Sequence, residues 1–297
     1  MTRDGTAPDP GLIFDLGLHR GVDTAYYLAK GFRVVAVDAS RELCEAATRR
    51  FAGEIAAGRL VVEHAAISLL PEAEFYESTN DQWGTTVPQW VARNERLGAH
   101  TTRTSRVRGV SVPQLMDAYG CPHYLKIDIE GADHDALASL VASPYRPDFV
   151  SLESDKTSWQ ALTWEIETLS AMGYTRFQAV PQHTVCRQRQ PAVTREGLPV
   201  DHEFPWSGSS GLFGHDLPDR WLTARQVLLV YRTIFLRYRL FGDEAVVRSG
   251  PSGLLGRALF RLFGEAGWWD THAVRRGLPP TSSASGTATS PDLPGEP

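Results

Sequence analysis

Short apolar runs separated by stretches of helical length constrain this chain more than any other feature. They fall at 12–16, 32–38, 60–65, 124–129, 149–153 and 175–180. None alternates polar and apolar residues strictly, the pattern of strands buried on both faces. Helical periodicity occupies 24–30, 41–57, 133–143 and 159–172, and Gly31 stands where a helix C-cap glycine belongs. Strand–helix–strand repetition of this kind predicts an open, doubly wound, mostly parallel α/β sheet.

Composition narrows the partners. With 297 residues, 42% of them hydrophobic, the chain can bury a sizeable core. A net charge of −5 argues against a nucleic-acid binder that works by neutralising phosphates. Cys44, Cys121 and Cys186 lie far apart, in neither metal-ligand nor redox spacing, and predict free thiols in a reducing compartment. Residues 1–10 are polar, unlike a secretory leader, and no run approaches the roughly 18 apolar residues of a membrane span. The expected location is the cytoplasm.

Residues 67–112 interrupt the strand–helix rhythm. Strands at 75–79 and 103–109 would flank a loop carrying Trp83, Gly84 and Trp90, an insertion suited to an acceptor pocket. Arg103, Arg106 and Arg108 on the second strand would form either a solvated face or a basic face for an anionic acceptor. We therefore expect a cofactor-binding domain at 11–180 and an extension at 181–277 completing the same unit. The amphipathic stretch 221–241 predicts a helix packed on the sheet or on a second subunit of a homodimer. Its arginines, Arg225, Arg232, Arg237 and Arg239, offer a membrane-surface alternative. A second amphipathic stretch spans 254–269. Residues 278–297, nearly all Pro, Ser, Thr, Gly and Ala, cannot offset their ordering entropy and are expected to be disordered.

The cofactor signal lies where the first strand meets its helix, at Asp15-Leu16-Gly17-Leu18-His19-Arg20-Gly21. Glycines there admit a ligand close to the backbone. Asp38 closes the second strand, placed to accept hydrogen bonds from ribose hydroxyls. The segment lacks the G-x-G-x-x-G of a dinucleotide site. An acid just before the first glycine suits the cationic S-adenosyl-L-methionine better than a pyrophosphate.

Three segments together resemble the FkbM family of S-adenosylmethionine-dependent methyltransferases. They are 15–24, 31–39, and Tyr124-Leu125-Lys126-Ile127-Asp128-Ile129-Glu130-Gly131-Ala132-Asp133, the last similar to the family's lysine–aspartate–glutamate–glycine signature. Ser209-Ser210-Gly211-Leu212-Phe213-Gly214 and Gly267-Trp268-Trp269-Asp270-Thr271-His272 resemble C-terminal segments of one branch. Leu18-His19 replaces the family's common Ala-Asn, and Asp38 its common Glu. His19 then stands either as a satisfied loop residue or close to the chemistry. The resemblance implies a class I methyltransferase, Rossmann-like fold. Asp15, Gly17, Leu18, His19, Gly21 and Thr24 would surround the cofactor's amino-acid arm, Asp38 and Ala39 its ribose, and Ala66 and Ile67 its adenine.

A hydroxyl acceptor requires a base. Lys126, Asp128 and Glu130 alternate with isoleucines and would share one face at a strand end, with Glu153 at the neighbouring tip. Asp128 is the candidate base, supported by Glu153 and Lys126, while Glu130 would equally cap the following helix. A reading of Asp128 and Glu153 as cation ligands has no His/Asp set at helical spacing to support it, and no metal is expected. Trp83, Trp206, Ser209 and Ser210 are candidate acceptor contacts, with core packing as the alternative for both tryptophans. These features predict O-methylation of a small molecule or glycan. The alternatives are an NAD-dependent oxidoreductase on the same sheet and a catalytically silent cofactor-binding partner protein.

Overall fold

In a computed structural model of the protein, residues 6–154, 158–241 and 268–275 are described. The expected tail at 278–297 and most of the stretch 254–269 lie outside them. The main sheet is built from β1 (Asp9–Leu16), β2 (Arg33–Asp38), β3 (Leu60–His64), β7 (Pro122–Ile127), β8 (Phe149–Glu153), β9 (Tyr174–Pro181) and β10 (Trp269–Arg275). Their order across the sheet is β3-β2-β1-β7-β8-β10-β9. β1 pairs parallel with both β2 and β7, and β7 with β8, whereas β10 runs antiparallel between β8 and β9. Six strands thus point one way and one against them.

Alternation within β1 divides the core into two layers. Leu12, Phe14 and Leu16 face one side with Val35, Leu125, Ile127 and Leu152. Ile13 faces the other with Val34, Tyr124, Phe149 and Phe213. On the first side pack α5 (Val112–Tyr119), α6 (Asp133–Val141), α7 (Trp159–Ala171) and α8 (Ala224–Phe241). On the second lie α1 (Val22–Ala29), α2 (Arg41–Arg50) and part of the C-terminal extension. Ser40 caps α2 by accepting from the Leu43 amide, and Ser111 with Gln114 forms a capping box on α5.

The stretch 221–241 does contain a helix, and α8 packs on the sheet. Val227, Tyr231 and Ile234 are buried, and the Tyr231 hydroxyl bonds to Ser154 and Thr271 of the sheet's far side. Among the described residues no helix is long and apolar enough to cross a membrane.

The remaining departures from expectation have local causes. The helix expected over 41–57 breaks at Phe51 into α2 and α3 (Ala52–Ala56), because the Phe51 ring turns inward against Gly21. The strand expected over 124–129 ends at Ile127. Elements not anticipated include α4 (Pro88–Arg96), α5 and β10. The insertion forms a second sheet of β4 (Ala66–Ile67), β6 (Thr101–Val110) and β5 (Glu72–Ser78). In it, Arg103, Arg106 and Arg108 lie opposite Glu77, Glu74 and Glu72. Arg108 also bonds Glu63 at 2.6 Å. The arginines are therefore exposed and matched by acids, the solvated face that was one of the two expectations.

The extension is stitched to the sheet by buried charge. Lys30 of the first crossover pairs with Asp216 at 2.6 Å, both side chains fully buried. His123 bridges Asp148 at 2.8 Å and Glu196 at 2.9 Å. Burial alone would lower the His123 pKa, but the two carboxylates outweigh it and hold the imidazole at about 9. The raised folded-state pKa means this stabilisation is fully present below about pH 6.5 and lost as pH rises through 9. His123→Gln is expected to cost about 3 kcal/mol at pH 6 and much less at pH 10, as read by urea denaturation at the two pH values.

Candidate functional site

The carboxyl ends of β1, β2, β7 and β8 open into a cavity of about 490 Å³, within the roughly 300–1,000 Å³ of small-molecule sites. The insertion covers one side of it and the extension another. Two tight turns form its waist. At the end of β1, Gly17 has φ 92°, and a Cβ there would stand 1.8 Å from the Asp128 carbonyl oxygen, so only glycine fits. Beyond it, His19 takes a left-handed φ of 48° and its amide donates to Asp38 Oδ2 at 2.8 Å. The Ser40 amide donates to the other oxygen, Oδ1, at 2.8 Å. Burial raises the Asp38 pKa and these two amides pull it partly back. Each oxygen of Asp38 thus keeps a lone pair, on a side chain that lines the cavity. Leu43, Ala66, Ile67 and Phe75 make an apolar slot beside it.

The second turn follows β7. The Asp128 amide donates to Leu16 O at 3.0 Å, after which the chain leaves the sheet through Glu130 at φ 49° and Gly131 at φ 98°. The Asp133 carboxylate accepts from the Ile129 and Gly131 amides, and Thr85 of the insertion donates to Glu130 O at 2.7 Å. Lys126, Asp128 and Glu130 do all line the cavity. They converge through this turn, not through the pleat of a continuing strand. Glu153 lies at the tip of β8 on the same wall, directly opposite Asp270 of β10.

Lys126 ties the floor together. Its ammonium lies 3.1 Å from Asp15, 3.5 Å from Asp23 and 3.4 Å from Asp128. Burial would lower its pKa, yet Asp15, Asp128 and Asp23 more than compensate and hold it well above the ordinary lysine value. Asp15 is wholly buried, accepts from Thr24 Oγ1 at 2.6 Å, and stands behind Lys126. Its own pKa is raised by burial, against the pull of Lys126.

Of the cofactor candidates, Gly17, Leu18, His19, Asp38, Ala39, Ala66 and Ile67 line the cavity, while Asp15, Gly21 and Thr24 do not. Gly21 instead starts α1 at φ 69°, where a Cβ would meet the Phe51 ring at 2.8 Å. The acceptor candidates Trp83, Trp206, Ser209 and Ser210 also line it. Ser209 and Ser210, however, are engaged with the chain itself. Ser209 Oγ donates to Asp23 Oδ1 at 2.8 Å, and the Ser210 amide to both oxygens of Asp23 at 3.0 Å. This draws loop 206–210 down over His19. Asp23, Asp81, Gln82, Gln182, Trp268 and Asp270 complete the wall and were not anticipated. Asp23 had a legible signal as the first-turn acid of α1. Asp270 stood out only as part of the segment 267–272 that resembles one branch of the family, because the strand carrying it was not recognised.

A mostly parallel seven-stranded sheet with this order and a cavity across its strand ends is the class I methyltransferase fold. Residues 15–176 match the methyltransferase FkbM domain, and the chain belongs to that family. It is therefore related to methyl-transferring enzymes, and the dinucleotide alternative finds no support. The structure is similar to precorrin-6y C5,15-methyltransferase from Geobacter metallireducens GS-15, with 10% identity and a TM-score of 0.33 over 66% of this chain and 76% of that one. It is also similar to phosphoethanolamine N-methyltransferase 2 of Haemonchus contortus in complex with S-adenosyl-L-methionine. There the identity is 11% and the TM-score 0.32, over 92% of this chain and 50% of that one. No match was found among curated proteins.

Hydrogen bonds to a charged acceptor contribute roughly 1.5–3 kcal/mol each. Asp23→Ala should therefore release loop 206–210. The expected outcome is amide exchange at Ser210 faster by about a hundredfold or more, read by hydrogen–deuterium exchange; unchanged protection would show that the loop is held by other contacts.

Proposed function

We propose that the protein is an S-adenosylmethionine-dependent O-methyltransferase that methylates a hydroxyl of a small molecule or glycan. The observation that carries this is one cavity lined both by a ribose-type carboxylate, Asp38, and by a part-exposed acid, Asp128, held 3.4 Å from Lys126. The residues present fit the cofactor. Asp38 offers two acceptor oxygens already oriented by amides, the slot of Leu43, Ala66, Ile67 and Phe75 suits adenine, and the bare backbone at Gly17 admits close approach. Asp23, fixed by Ser210, would offer negative charge to the ammonium of the amino-acid arm. Asp15 and Thr24 would act one layer back, by holding Lys126.

When bound, S-adenosylmethionine supplies an electrophilic methyl carbon on a sulfonium. The protein's part is to align a hydroxyl oxygen with that carbon, exclude water and take the proton the oxygen loses. Asp128, 42% exposed on its side chain and 3.4 Å from Lys126, is the proton acceptor in this proposal. Lys126 sets its position. Loop 206–210, with Trp206, and the insertion, with Trp83, would close the cavity from two sides.

Isothermal titration with S-adenosylhomocysteine tests the cofactor half. Wild type should bind at micromolar concentration and Asp38→Ala at least about tenfold more weakly; no binding by wild type sinks the proposal. For the base, Asp128→Asn should lose roughly 10²–10⁴ in turnover with little change in S-adenosylhomocysteine affinity. Equal losses in both would place Asp128 with the cofactor instead.

A further inference from the structure

One amphipathic motif singled out by the sequence plays no part in the site. Helix α8 carries four arginines, Arg225, Arg232, Arg237 and Arg239, and no acid, in a chain whose net charge is −5. Its inner side is settled: Val227, Tyr231 and Ile234 are buried in the core. Diametrically opposite run Arg225, Leu229, Arg232, Leu236 and Arg239, in steps of four and three that keep all five on one side. At the rise of an α-helix this row is about 21 Å long. Leu229 is 57% and Leu236 55% exposed, and the three arginines beside them are exposed as well.

Stability does not account for this row. Arg225 stands in the first turn, where the helix dipole disfavours a cation. None of the four arginines is ion-paired to a described residue, and Arg232 lies over the Trp159 ring at 5.7 Å. A lone exposed leucine needs no explanation. Two leucines set between three cations on an acid-free helix match a surface that is anionic outside and apolar just beneath. A second copy of this chain does not meet that description, because the row would face itself and gather both sets of arginines with no acid between them. A phosphate backbone would neutralise the arginines but give the leucines no apolar partner. The sequence further on points the same way. Residues 254–263, Leu254-Leu255-Gly256-Arg257-Ala258-Leu259-Phe260-Arg261-Leu262-Phe263, again combine large apolar side chains with arginine and hold no acid.

We infer that the exposed face of α8 docks the protein on a bilayer surface rich in anionic headgroups. The arginines lie among the headgroups, and Leu229 and Leu236 enter just below them. Three arginines and two leucines amount to one weak anchor, so docking is reversible and salt-sensitive. The placement of the helix gives the docking a direction. Just before α8, Leu222 pairs with Phe177 within β9. Nine residues on, Tyr231 bonds to Ser154 and Thr271, the chain neighbours of Glu153 and Asp270 on the cavity wall. α8 therefore rises towards the open end of the sheet, and Leu236 and Arg239 lie towards that end. A docked molecule holds its cavity beside the headgroup layer. The inference rests on α8 and stands or falls independently of methyl transfer.

The test sediments full-length protein with vesicles of phosphatidylcholine alone and with vesicles containing about one-third phosphatidylglycerol. The protein should partition onto the anionic vesicles about tenfold or more in excess of the neutral ones, and raising NaCl from about 0.1 M to about 0.5 M should release most of it. Arg225→Gln and Arg239→Gln should each weaken partitioning about fivefold. Leu229→Ser combined with Leu236→Ser should weaken it about tenfold. All four residues are exposed and lie off the cavity wall, and retained cooperative thermal unfolding reports that each variant is folded. Equal partitioning onto the two vesicle types, or none onto either, overturns the inference. So does binding to anionic vesicles that survives the four substitutions combined, which would belong to another part of the chain. A short DNA duplex bound through the same arginines, with no effect of the leucine substitutions on either ligand, assigns the face to nucleic acid and also overturns it.

Discussion

The buried ammonium of Lys126 is the point on which the site is hung. It is the meeting place of β1, through Asp15, of α1, through Asp23, and of the turn after β7, through Asp128. An ion this buried is tolerated only because three carboxylates surround it, and each of those is in turn fixed by something else. Thr24 holds Asp15, and Ser209 and Ser210 hold Asp23. The position of a cavity-lining acid, Asp23, thus depends on a serine-rich loop 186 residues further along the chain. Removing one carboxylate from such a group leaves the others mispaired as well as the lysine under-compensated, so effects at these positions will not add independently.

Much of the sheet was legible because parallel strands buried on both faces have a plain sequence signature. Val34, Val35, Ala36 and Val37 admit hardly any other assignment, and β8 falls where its apolar run does. What escaped was set by tertiary contact. β10 carries Asp270, Thr271 and His272 in its centre, polar residues that no pattern of apolar runs would select, and all three are buried. Thr271 is satisfied by the Ser154 and Tyr231 hydroxyls, partners 117 and 40 residues away. The helix α4 begins at a proline and offers few apolar residues, so its place is fixed by Trp90 against Gly131 and by Arg93 among the indoles.

The site divides along the same line. Gly17, Asp38 and the segment from Lys126 to Glu130 stood out in the sequence because strand-end turns place a few obligatory residue types at fixed spacings. Loop geometry then decided which of them face the ligand. Asp15 and Thr24, adjacent to the glycine turn in sequence, stand behind the wall, whereas Gln82 and Asp270, remote in sequence, stand on it. The left-handed backbone at His19 and Glu130 is the clearest mark of this: each is a bulky residue in a conformation suited to glycine, at the head of a turn facing the cavity.

The antiparallel strand in the middle of one half of the sheet bears on how the molecule comes into being. β8 and β9 are joined only through β10, which begins 88 residues after β9 ends (269 − 181). During synthesis, therefore, both strands emerge with an open edge, and the half-sheet that carries Glu153 waits for a segment made much later. The Asp38 end of the cavity, whose strands β1, β2, β3 and β7 all precede residue 128, has no such wait. A ribosome-bound chain can therefore hold the Asp38 end of the cavity long before the Asp270 end exists, and the wall that β10 completes is the last part of the cavity to be built.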